Sequence, residues 1–300
     1  MFATISIPRI SRAATPLRVG CGPDEDFAEG FYATDMGFFQ EAGIQPELTV
    51  LSSGAALSAA VLSGSLDVAT TNMGSIISAH AHNIPLVIIA PEAIYSNTEL
   101  SAALIVARDS SIHSAADLKG KTIAVSTLNT LFHTSVRNWI DKNGGSSSDV
   151  QFVEMPLSVH LPALRSGRID ASALVEPWLS QAKSETRVIG DPYSSVASRF
   201  MISCWVTSKS WRDDNRATLD TFQSVMRKTA LWANRNPQLT PAILAKYFKV
   251  DLAVVQSIPR TQMGIRSDAA LIQPVIDMEY RYKLTPVQFP ASDMFSENDK

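Results

Sequence analysis

The chain has 300 residues, of which 45% are hydrophobic and 18% charged, enough apolar material for a large core and too little charge for disorder. Its 26 Lys and Arg against 29 Asp and Glu leave a net charge of −3, which excludes a global field for DNA, RNA or anionic lipid. The two cysteines, Cys21 and Cys204, exclude a disulfide scaffold and a cysteine-based zinc site.

Residues 1–14, MFATISIPRISRAA, lack the apolar stretch of ~7–15 residues that a secretory signal needs, although Ser11-Arg12-Ala13 has the small-x-small pattern of a cleavage site. A buried strand is expected at 17–21 (LRVGC). A helix over 30–42 follows, with Phe31, Met36 and Phe39 at helical spacing and a stop at Gly43. Then come a strand at 47–51, a small-residue helix at 55–62, a strand at 66–69, a helix at 74–82 and buried strands at 86–90 and 102–107. The two longest uncharged runs, 48–66 and 68–91, are rich in Ser, Thr, Gly, Asn and His and would not enter hydrocarbon. Ser114 and Asp117 form a capping box before a single turn closed by Gly120. Strands at 122–125, 150–154 and 169–174 alternate with helices at 130–142 and 159–166 and with a helix opening at Pro177. A strand at 200–206 precedes an all-helical tail: 217–235, 240–248, 252–258 and 268–282. Alternating strands and helices define an α/β protein with parallel sheets.

Residues 49–69 (TVLSSGAALSAAVLSGSLDVA) align without a gap on 152–172 (FVEMPLSVHLPALRSGRIDAS) at an offset of 103. Ser63-Gly64 meets Ser166-Gly167, and Leu66-Asp67 meets Ile169-Asp170. Each copy occupies the same place in a half of about 100 residues, which implies two similar lobes. The apolar strands flanking the second copy place lobe boundaries near Arg108 and Thr207. Lobe one is then 16–107 plus 208–300, lobe two 108–207, and 1–15 a residual tail.

In open α/β sheets ligands bind outside the carboxyl ends of the strands. The turns there hold Ser, Thr and Asn but no Lys, Arg or His, a composition suited to reversible capture of a small polar solute and not to acid–base chemistry. Ser53 and Asn72 from one lobe, and Thr127, Asn129 and Glu176 from the other, are the expected ligand contacts. Tyr32, Tyr95, Phe132 and Trp178 are candidates for an aromatic wall. Glu176 and the loop of Asp24, Glu25 and Asp26 are the charges expected at the cleft. His133 lies one turn into a helix that begins there, and either meets the ligand or covers a core face. The five histidines are too scattered for a metal site.

Several stretches carry a resemblance: DMGFFQEAGIQPELTVLSSG (35–54), AAVLSGSLDVA (59–69), IPLVIIA (84–90), DLKGKTIAVSTLNT (117–130), ALRSGRIDASALVEPW (163–178) and LWANRNPQ (231–238). From Thr15 to about Phe295 the chain resembles the periplasmic solute-binding proteins of nitrate, sulfonate and taurine uptake systems, which are similar to pyrimidine-precursor-binding proteins. The resemblance implies a type II binding-protein fold with two lobes joined by two crossover strands, here 102–107 and 200–206. It further implies a monomer that delivers a solute to an ABC permease, with no catalysis, no cofactor, no metal and no nucleic acid. The solute expected is sulfonate- or taurine-like, a pyrimidine or an aromatic acid. Such proteins are exported, so SRAATPLRV reads as the tail of a signal plus the mature start, and the start as truncated or misassigned.

The sequence has three rival readings. One, the pyrimidine-making enzyme of yeast type, resembles the binding proteins but depends on His and Cys clusters that this sequence lacks. The other two share the fold. A sulfinate desulfinase resembles this family and uses a cysteine just after the first strand, where Cys21 stands. A nucleophilic thiol needs a cation or base to lower its pKa, and the neighbouring loop is acidic. The other reading of Cys21 is a small buried apolar residue. A ligand-sensing regulator domain would need a helix-turn-helix segment, which the 16 residues before the first strand cannot hold.

Overall fold

The computed structural model describes residues 14–98 and 100–295. In chain order the first elements are β1 (Thr15–Cys21), α1 (Glu29–Asp35), α2 (Phe38–Glu41), β2 (Ile44–Val50), α3 (Gly54–Leu62), β3 (Val68–Asn72), α4 (Met73–Ala81), β4 (Leu86–Pro91) and β5 (Ala93–Ser96). Next come β6 (Ala102–Ala107), β7 (Thr122–Val125), α5 (Leu131–Lys142), β8 (Gln151–Glu154), α6 (Leu157–Arg165), β9 (Ala171–Val175), α7 (Trp178–Ala182) and β10 (Thr186–Gly190). The chain closes with β11 (Arg199–Met201), β12 (Ser203–Ser208), α8 (Lys209–Asp214), α9 (Arg216–Arg235), α10 (Thr240–Phe248), α11 (Leu252–Ser257), β13 (Gln262–Met263) and α12 (Gln273–Arg281).

Two five-stranded sheets share one plan. The first runs β2-β1-β3-β12-β4 and the second β8-β7-β9-β6-β10. In each, three parallel strands are flanked by one that runs antiparallel to both its neighbours, β12 in the first and β6 in the second. The aligned repeat occupies equivalent positions: α3 and β3, moved by 103 residues, fall on α6 and β9. Gly64 and Gly167 end the two helices with φ of 74° and 69°, a left-handed turn that a side chain resists. The paired aspartates also act alike. Asp67 accepts from the amide of Arg18 at 2.8 Å and Asp170 from that of Thr122 at 2.9 Å, each latching the turn onto the neighbouring parallel strand.

The structure differs from the sequence reading at the crossovers. Residues 102–107 are the antiparallel member of the second sheet, and 200–206 splits at Ile202 into β11 and β12. The chain passes between sheets beside a third, small sheet, β11-β5-β13. Apolar strands look alike whether embedded or crossing, and these two are embedded. The expected helix over 30–42 breaks at Gly37, and the tail expected to be all-helical contains β13, which pairs with β5. The expected residual tail, 1–15, lies outside the described residues up to residue 13, and β1 begins at Thr15.

One core packs α1, α9 and α10 on the first sheet, around Phe31, Phe39, Trp205 and Phe222. A second runs continuously through α4, α5 and α12, with Ile76, Val136 and Ile276 buried. Burial of this order stabilises at roughly 25 cal/mol per Å² of apolar surface. Among the described residues no helix is long and apolar enough to cross a membrane.

Candidate functional site

The turns at the carboxyl ends of β1, β2, β3 and β7 converge on a cleft between the two sheets. It holds two adjoining cavities with walls in common. The inner, of 60 Å³, is bounded by Asp24, Asp26, Asn72 and Thr130, with Phe132 and Tyr193 as its aromatic face. The outer, of 410 Å³, is bounded by Pro23, Val50, Leu51, Met155, Pro156 and Trp178, with the Glu154 carboxylate at its edge. Ser52, Ser53, Ser126, Thr127 and Leu157 line both.

The local sequence explains this placement. Ser53 caps α3, accepting from the Ala56 amide at 3.3 Å, and Asn72 caps α4 through the Ser75 amide at 3.0 Å. Both caps therefore stand where a strand ends and a helix begins, at the cleft. Thr127 offers its carbonyl to the Thr130 hydroxyl at 3.0 Å, which shapes the turn into α5. Gly74, in the first turn of α4, lets the two lobes touch: a Cβ there would stand 2.7 Å from the Leu131 amide nitrogen.

The acidic loop after β1 is the cleft's charged wall. Asp24 and Asp26 are only 8% and 7% exposed. Asp24 Oδ1 accepts from the Asp26 amide at 3.1 Å, and Asp26 Oδ1 from the Thr261 hydroxyl at 3.1 Å. Behind them Glu25 accepts from the Thr261 amide at 3.2 Å and faces the Arg260 guanidinium at 3.4 Å. Ser203 donates to the Asp26 carbonyl at 2.6 Å and accepts from the Ala93 amide at 3.0 Å, joining the loop to the first sheet and the crossover. Burial raises the Asp24 carboxyl, which Asp26 reinforces, and raises Asp26 to about 6; burial raises Glu25 to about 8 against the pull of Arg260.

Of the residues expected at the ligand, Ser53, Asn72, Thr127 and Trp178 line the cleft. Three others are placed elsewhere. Glu176 is buried and accepts from the Ser180 amide at 3.0 Å and hydroxyl at 2.9 Å, so it caps the turn into α7. Asn129 takes a left-handed φ of 57° and its amide donates to His133 Nδ1 at 2.9 Å. His133 packs on Phe152 and braces that loop, its pKa lowered to about 4 by burial. Tyr32, 1% exposed, lies in the core of the first lobe beside Trp232, because the phase of α1 turns it inward. Among the proposed wall aromatics, Phe132 lines the inner chamber, while Tyr95 donates to Asp191 at 2.7 Å in the crossover region. Tyr193, Arg260 and Thr261 escaped the sequence reading; they reach the site from distant parts of the chain. Cys21 is fully buried, and burial with nearby Glu92 and Glu29 pushes its thiol well up, the opposite of an activated nucleophile. Among the described residues no three His, Cys, Asp or Glu side chains are placed to hold a metal ion.

Two sheets of equal plan, a double crossover and a polar cleft between them define the two-lobed binding-protein fold. The chain belongs to the NMT1/THI5-like family, whose profile matches residues 24–240. A Brachyspira hyodysenteriae protein described as an ABC transporter periplasmic binding protein is 27% identical over 186 residues, 57% of this chain and 52% of that protein. The chain thus spans about half the length of that curated relative. Among solved structures, the periplasmic aliphatic sulphonate binding protein SsuA of Escherichia coli matches with a TM-score of 0.75 and 21% identity, over 95% of this chain and 98% of that one. The desulfurization enzyme DSZB matches with a TM-score of 0.68 and 16% identity, over 94% and 96% of the two chains.

Proposed function

We propose that this chain is the solute-binding component of an ABC importer. It captures a small polar organic solute between its lobes and hands it, chemically unchanged, to a membrane permease. The observation that carries this reading is a cleft bounded from both lobes by Ser and Thr turns, with no Lys, Arg, His or Cys lining it among the described residues. The family and the described role of the Brachyspira relative support it, as does the sealed thiol of Cys21. The protein works as an exported, periplasmic monomer. Its first lobe comprises β1 to β4 with the chain from β12 onward, and its second β6 to β10. A ligand touching both lobes stabilises the closed form by its contacts to each, the only route by which binding shifts such an equilibrium.

A thermal-shift screen of the purified chain against sulfonates, nitrate, pyrimidines, aromatic acids, amines and amino acids tests this. At least one solute raises the Tm in a saturable way and is recovered unaltered. A screen without a hit, or a solute recovered as a reaction product, overturns the proposal.

A further inference from the structure

We infer that the cleft selects an amphipathic organic cation, with a compact protonated amine against Asp24 and Asp26 in the inner chamber and an apolar body in the outer one. The inference rests on the solute-binding reading and narrows its ligand. Each of the two aspartates is more than nine-tenths buried, and each commits one oxygen to the protein: Asp24 Oδ1 to the Asp26 amide and Asp26 Oδ1 to the Thr261 hydroxyl. Their Oδ2 atoms have no donor among the described residues.

No Lys, Arg or His lines either chamber among the described residues. The guanidinium behind the loop, Arg260, is already engaged by Glu25 at 3.4 Å and by the carbonyls of Val255 and Ile258 at 2.9 and 3.1 Å. An anion entering the inner chamber would leave water for two acidic side chains and no cationic partner, a burial that proteins avoid, whereas a cation favours the ionised form of both acids. An ammonium instead supplies the missing donors as charge-assisted hydrogen bonds.

The dimensions fix the rest of the molecule. The inner chamber holds 60 Å³ and the outer 410 Å³, so the charged group is small and the remainder larger. The outer walls combine Val50, Leu51, Met155, Pro156 and Trp178 with Glu154 and Ser158, so an aliphatic or aromatic body meets apolar surface on part of that wall. Ser52, Ser53, Ser126 and Thr127, which line both cavities, offer hydroxyls to the atoms that join head to body.

Four matched probes decide it by calorimetric titration of the full chain: benzylammonium, benzyl alcohol, phenylmethanesulfonate and methylammonium. Benzylammonium is expected to bind at least about tenfold more tightly than each of the others. Asp24→Asn and Asp26→Asn should each weaken benzylammonium by about tenfold and leave benzyl alcohol unchanged. Tightest binding by the sulfonate, or equal binding of benzylammonium and benzyl alcohol, overturns the cation assignment. Equal binding of methylammonium and benzylammonium overturns the two-chamber division. The wild-type ranking suffices should either variant fail to fold. If no probe binds at about 10 mM, the cation assignment falls, while the solute-binding reading stands or falls by the wider screen.

Discussion

Replacing Ser203 by Ala removes one hydroxyl that serves two buried backbone groups. Ser203 is fully buried; it donates to the Asp26 carbonyl at 2.6 Å and accepts from the Ala93 amide at 3.0 Å. The variant leaves both without that partner. An unsatisfied buried backbone group costs about 1–3 kcal/mol, so the expected loss is about 2–4 kcal/mol after local relaxation. At roughly 2 °C per kcal/mol for a chain of this size, the Tm should fall by about 4–8 °C. Urea unfolding at constant m-value reads the same quantity as a shift in midpoint. Ser65→Ala, at an exposed serine, is the control and should move stability by no more than about 0.5 kcal/mol. Because the lost bond releases the Asp26 segment, affinity for the solute should fall with stability. If Ser203→Ala unfolds at the wild-type midpoint, the loop is not held as described, and the account of the acidic wall fails with it.

Thr127→Ala should weaken solute binding by roughly 5–150-fold in calorimetric titration and leave the Tm unchanged, and wild-type affinity would remove it from the site. Ser53→Ala should weaken binding similarly and also cost about 1 kcal/mol, because it caps α3; an unaltered Tm would refute the capping role. Cys21 and Cys204 are both fully buried with thiols pushed up by burial, so neither should react with a disulfide reagent until the protein is unfolded. Stoichiometric labelling of the native protein would contradict this. Glu279 is 1% exposed and burial raises its carboxyl to about 8. The fold thus favours its neutral form, so this contribution is complete below about pH 4.5 and is lost as pH rises to about 8. Glu279→Gln should abolish that decline and leave the variant on the order of 5 kcal/mol more stable than wild type above pH 8, measured by urea unfolding across pH. Parallel stability curves for the two proteins would disprove it.

The lobes were legible in the sequence because their signal is local. The helix–glycine–aspartate–strand unit repeats at an offset of 103, and its aspartates perform the same latch in both halves. The place of Ser53 and Asn72 at the cleft was legible because helix caps at strand ends are defined by neighbours within a few residues, and that of Thr127 because it opens the turn that the Thr130 hydroxyl closes. The remainder of the site depends on long-range partners. Thr261 meets Glu25 across 236 positions, and Ser203 meets Asp26 across 177. No periodicity in the chain reports such pairings. Tyr32 and Glu176 misled for a different reason. Each lies near cleft residues along the chain, but helix phase sends Tyr32 into the core, and the Ser180 amide and hydroxyl take up the Glu176 carboxylate. The crossover is similarly opaque: β5, β11 and β13 are short, and only pairing between distant parts of the chain makes them a sheet.

Gly74 sets the spacing of the jaws. At that point α4 of one lobe meets the first turn of α5 in the other, and the Leu131 backbone stands where a β-carbon would go. Backbone on the far side cannot rotate out of the way as a side-chain tip can. A single methyl group there would act as a shim in a vice, holding the lobes apart along the line of contact. The closeness of α4 to α5 beside the 60 Å³ cavity thus depends on one absent carbon. The fit of one lobe against the other can therefore be altered from a residue that lines neither cavity.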